Sequence, residues 1–66
     1  MKKPANPAVP RLLRLKEVKE KTGMATSSIY AEMAAEKFPR PVRLTRRAVA
    51  WPDNLINQWI SDRLST

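Results

Sequence analysis

Gly23 is the only glycine in the chain, and it stands between two short helical patterns. Glycine alone adopts positive φ freely, so a helix that arrives at Gly23 stops and turns there. Leu15 and Val18 sit at i and i+3, while Lys16, Glu17, Lys19, Glu20 and Lys21 alternate in charge around them. That spacing predicts a helix over 15–22 with Leu15 and Val18 turned inward. A second helix is predicted from Thr26 to about Lys37. Ile29 and Met33 lie four apart on its inward face, and Ala25 and Lys37 extend the stripe. Thr26, Ser27 or Ser28 offers a cap for the free N–H groups of the first turn. Thr26, Ser27, Tyr30, Ala31 and Ala34 turn away from that stripe.

Pro39 and Pro41 end the second helix and force an extended chain. Val42-Arg43-Leu44 and Ala48-Val49-Ala50-Trp51 each alternate with period two, which predicts a β-hairpin. Val42, Leu44, Val49 and Trp51 are expected inward, Arg43 outward, and Thr45, Arg46 and Arg47 at the tip. The tip lacks the Gly or Asn of a tight primed turn, so a wider loop is expected. Pro52 suits the first position of a closing helix, and Asp53 suits the dipole at that end. Leu55, Ile56, Trp59, Ile60 and Leu64 form the apolar face of that helix, with Trp51 and Trp59 anchoring the hairpin to it. Upstream, Arg11-Leu12-Leu13-Arg14 fits either a brief edge strand or the lead-in to a helix. Pro4, Pro7 and Pro10 make residues 1–10 a flexible, extended arm. It reads chiefly as a leader without function; Lys2 and Lys3 would be its phosphate contacts. Residues 11–66 form one domain, whose small core leaves little room for a deep catalytic cavity.

Composition removes several chemistries. The chain has no Cys and no His. Disulfides, thiolate-held zinc and imidazole base catalysis are therefore unavailable. The six carboxylates are scattered among cations and form no catalytic pair. No enzyme activity, cofactor, metal or small-molecule substrate is expected. No apolar run is long enough to span a membrane, and no signal-peptide h-region follows Lys2 and Lys3. The expected setting is the cytoplasm, associated with the nucleoid.

Thirteen Lys and Arg against six Asp and Glu give a formal charge of +7, a field that attracts polyanions. Five basic residues fall between Lys37 and Arg47 with no acid among them. Helix, glycine turn, helix, basic hairpin, helix is the order of a small winged helix-turn-helix, mainly α with a small β-hairpin. Such a fold lays the N-terminus of its second helix in the major groove of double-stranded DNA. Thr26, Ser27 and Ser28 would offer hydroxyls there, Tyr30 a ring and a hydroxyl, and Ala31 a small surface for close approach. Arg46 and Arg47 would reach an adjacent minor groove or the backbone, with Arg40 and Arg43 as phosphate clamps. The rival reading is a protein-interaction module that binds an acidic regulator or an integrase without touching DNA. Ala31, Ala34 and Ala35 would then be the docking surface.

The chain resembles the AlpA family of phage-derived regulators, small MerR-like winged helix-turn-helix proteins related to excisionases. The resemblance rests on Arg11-Leu12-Leu13-Arg14-Leu15 with Glu17-Val18, Thr22-Gly23-Met24, and Ser27-Ser28-Ile29-Tyr30. It continues through Phe38-Pro39-Arg40-Pro41-Val42-Arg43-Leu44, Arg47-Ala48-Val49-Ala50-Trp51 and Trp59. It implies sequence-specific DNA binding, with either activation of a prophage integrase gene or direct help in excising a mobile element. An integrase and further copies of the chain on DNA are the partners it suggests besides DNA. The family commonly has a Ser cap and a basic residue where this chain has Ala25 and Thr26. It often has another basic residue at the position of Ala31, and usually Gly at that of Glu36. Glu32 and Glu36 also bring negative charge beside the reading helix. These departures from the family pattern shift binding energy toward Arg40, Arg43, Arg46 and Arg47.

Overall fold

The computed structural model describes residues 9–65, in the order β1 (Leu12–Leu13), α1 (Leu15–Thr22), α2 (Thr26–Ala34), β2 (Val42–Arg43), β3 (Val49–Pro52) and α3 (Asp53–Leu64). Lys2, Lys3 and the first two prolines of the N-terminal arm lie outside the described residues. The architecture is a winged helix-turn-helix: three helices with a small antiparallel sheet of order β1-β3-β2.

The two alternatives left open for residues 11–14 are resolved in favour of a strand. Leu12 and Leu13 pair with Pro52 and Trp51, which makes β3 the central strand. Beside this ladder, the Asp53 N–H donates to the Arg11 carbonyl at 2.8 Å, and the Arg11 N–H donates to Asp53 Oδ1 at 3.1 Å. Asp53 is thus the first residue of α3, while Pro52 is the N-cap and the last residue of β3 rather than the first helical residue.

Leu13, Val18, Ile29, Phe38, Trp51 and Ile56 form the buried core, with Leu15, Met24, Met33, Val49, Trp59 and Ile60 packed against it. Every helix and the central strand thus share one apolar centre. The chain covers the predicted faces only in part. Ala25 and Lys37, expected to extend the Ile29–Met33 stripe, are exposed. On α3, Leu55 is 44% and Leu64 82% exposed, so the buried face narrows to Ile56, Trp59 and Ile60.

The hairpin corrects a second expectation. Val42 pairs with Ala50 and Arg43 with Val49, and the chain turns over Thr45, Arg46 and Arg47. Residues directly opposite one another share a face. Val42 therefore joins Ala50, and Arg43 joins the Val49–Trp51 side, the reverse of the alternation read along the chain. A one-residue difference in register moves every side chain of a strand to the other face. Val42 and Leu44, expected inward, are about two-fifths exposed, at 42% and 43%, and Arg43 is exposed as expected, because β2 is an edge strand open to solvent along both its residues. Trp51 of β3 and Trp59 of α3 share the core as expected, and each also holds a backbone carbonyl. The Trp51 indole N–H donates to the Pro39 carbonyl at 3.0 Å, and that of Trp59 to the Lys37 carbonyl at 2.8 Å. Phe38 meets Trp59 edge to face, centroids 5.0 Å apart. Both indoles thus clamp the 37–39 crossover onto the core.

Among the described residues, two lie in the left-handed region. Gly23, at φ 73°, ends α1, and its N–H donates to the Lys19 carbonyl at 2.8 Å. Glu36, at φ 59°, ends α2, which stops at Ala34 rather than continuing to Lys37. The Lys37 N–H reaches the Glu32 carbonyl at 2.8 Å and the Glu36 N–H the Met33 carbonyl at 3.0 Å, the bond pattern of a Schellman stop. That stop favours glycine at the position of Glu36. A non-glycine residue there costs about 1–2 kcal/mol, offset in glycine by roughly 0.5–1 kcal/mol of backbone entropy. Glu36→Gly is therefore expected to stabilise the fold by about 0.5–1 kcal/mol, read from the urea midpoint. An unchanged or lower midpoint would contradict it.

Candidate nucleic-acid interface

α2 begins without a side-chain cap. Ala25 occupies the N-cap, and the first helical bond runs from the Ile29 N–H to the Ala25 carbonyl at 3.0 Å. Thr26, Ser27 and Ser28 are the first three helical residues rather than caps. Their N–H groups precede the first intrahelical bond, so the positive end of the helix dipole is left unneutralised by any capping oxygen. The first turn also contains no acid. Ile29 is fully buried and fixes the helix by one face. Ser27, Ser28 and Ala31 are exposed, Tyr30 is 46% exposed, and Thr26 is half-buried. Small side chains and hydroxyls are thus displayed on a helix whose opposite face is locked in the core.

The wing is held by its own backbone. The N–H groups of Leu44 and Thr45 both donate to the Ala48 carbonyl, at 2.8 and 3.2 Å. The Thr45 hydroxyl accepts the Arg47 N–H at 3.2 Å. This three-residue turn projects Arg46 and Arg47 into solvent, where both are exposed. Arg40 and Arg43 are exposed as well. Among the described residues, none of these four arginines forms an ion pair; the paired acids are Glu17, with Arg11 at 3.7 Å, and Glu32, with Arg63 at 3.4 Å. Four cations without carboxylate partners suit phosphate oxygens.

Both surfaces hang on one core, α2 through Ile29 and the hairpin through Val49 and Trp51. An open groove of about 690 Å³ lies at the glycine turn, lined by Leu15, Lys16, Lys19, Glu20, Gly23, Met24 and Ala25. Lys16 and Lys19 thereby stand beside the start of α2, a placement the sequence reading missed. Their i, i+3 spacing in a helix that runs into Gly23 was the available signal. The Glu32–Arg63 pair was also missed, because it joins residues 31 positions apart. Among the described residues, no group of His, Cys, Asp or Glu is arranged to hold a metal, and no helix is long and apolar enough to cross a membrane.

The family model described as Prophage CP4-57 regulatory protein (AlpA) matches residues 11–64. A DNA-binding transcriptional activator AlpA of Escherichia coli (strain K12) is 34% identical over 64 residues, covering 88% of this chain and 91% of that protein. With its fold, its displayed helix start and its match over nearly all the described residues, the chain belongs to the AlpA family of prophage regulatory proteins.

Proposed function

We propose that this chain is a DNA-binding transcriptional regulator, not an enzyme, that reads double-stranded DNA with α2 in the major groove and its basic wing alongside. One observation carries the reading: an uncapped, acid-free helix start bearing exposed hydroxyls shares a rigid core with a hairpin of unpaired arginines. Thr26, Ser27, Ser28, Tyr30 and Ala31 face bases and the nearest phosphates. Arg46 and Arg47 grip the neighbouring minor groove or backbone, and Arg40 and Arg43 clamp phosphates beside them. Residues 11–66 act as the DNA-binding domain and residues 1–10 as its arm. The resemblance to regulators of prophages supports a role in controlling integrase expression or excision of a mobile element, in the cytoplasm and on the nucleoid. An integrase and further copies of the chain are the partners such a role would recruit.

The test is a duplex titration at several salt concentrations. Neutralising roughly four to six phosphates gives a slope of log affinity against log salt of about −4 to −5. A flat salt response would reject DNA binding and favour docking of an acidic protein on the exposed Ala31, Ala34 and Ala35 surface.

A further inference from the structure

Glu32 stands on α2 four residues after Ser28, one helical turn further along the same side. If α2 lies in the groove, a bare carboxylate at that place faces the phosphate wall and repels it. The carboxylate is not bare. Arg63, near the end of α3, approaches Glu32 Oε1 to 3.4 Å through its guanidinium. The same guanidinium lies over the Trp59 ring, 4.7 Å from its centre. Trp59 is fixed in turn by its bond to the Lys37 carbonyl and by the edge of Phe38. A planar cation stacked on an anchored indole is held in place, unlike a free surface arginine.

We infer that Arg63 is a positioning residue that masks Glu32, drawing its carboxylate toward Trp59 and cancelling its charge where α2 meets DNA. The inference rests on the DNA reading above. It explains how the reading helix tolerates an acid in a chain that otherwise concentrates positive charge. Glu32 is the more enclosed partner, its side chain 32% exposed against 56% for Arg63, so the carboxylate is turned partly toward the arginine.

A double-mutant cycle with a fluorescein-labelled, mixed-sequence duplex tests it. Arg63→Gln raises Kd about fivefold, the size expected when one like charge is unmasked near a phosphate. Glu32→Gln alone stays within about twofold of wild type, and the double variant returns to that range. Arg63→Lys keeps the charge but loses the flat stacking surface. Whatever affinity it loses must likewise vanish in the Glu32→Gln background. Circular dichroism and melting should be little changed throughout, because exposed ion pairs contribute little to stability. If the loss from Arg63→Gln is the same in both backgrounds, the arginine touches phosphate directly and the inference is overturned. A wild-type chain that leaves the duplex unbound overturns the DNA reading itself, and the inference falls with it.

Discussion

Trp51→Ala is expected to leave the chain without a cooperative unfolding transition at 25 °C. Trp51 is fully buried on the central strand, among Leu13, Val18, Ile29, Phe38 and Ile56. Truncating such a side chain costs about 3–5 kcal/mol in lost burial and unfilled cavity. A single small core rarely supplies more than roughly 3–5 kcal/mol in total. The loss thus matches the whole stability of the domain, with no disulfide to compensate. Trp51→Phe separates the two parts of the effect. It keeps an aromatic ring but deletes the N–H that bonds the Pro39 carbonyl, at a cost of about 1–2 kcal/mol. Far-UV circular dichroism against urea reads both variants. A Trp51→Ala variant that unfolds cooperatively within about 1 kcal/mol of wild type would place the centre of stability elsewhere.

That dependence on one strand was only partly legible in the sequence. The first helix could be read to its last residue, because a charge-alternating surface and one glycine both mark its end at Thr22 and Gly23. The start of α2 and the three residues of the hairpin tip were legible for similar, local reasons. What escaped was set by distant partners. Leu12 and Leu13 could be read as an edge strand or a helix lead-in, and the choice is made only by pairing with residues some forty positions away, since two apolar residues carry no period of their own. The side facing of β2 depends on register, which a two-residue strand does not encode. The early stop of α2 rests on a glutamate in a conformation that glycine would mark plainly. At the interface, the hydroxyl run Thr26-Ser27-Ser28 invited a capping assignment. Its true position inside the first turn depends on Ala25 holding the N-cap, a one-residue matter beyond the reach of propensity.

Arg46→Ala combined with Arg47→Ala is expected to weaken binding to every duplex alike. Affinity should fall about ten- to a hundredfold near 0.1 M salt, and the salt slope should become shallower by about two, one for each phosphate no longer neutralised. The geometry gives the reason. Both arginines are exposed on a turn fixed by the bonds of Leu44, Thr45 and Arg47, and neither must break an ion pair before engaging phosphate. Because phosphate contacts carry no sequence information, removing arginines that act on phosphates should not change which sequence is preferred. Ser27→Ala and Tyr30→Ala should do the opposite. Each alters how α2 meets base edges, worth about 1–3 kcal/mol between right and wrong sequences, while leaving the salt slope near its wild-type value. Anisotropy titrations on a footprinted site and on an unrelated duplex distinguish the two outcomes. Equal losses on both duplexes for all four substitutions would mean that helix and wing contribute only charge. Sequence choice would then have to come from the shape of the DNA rather than from α2.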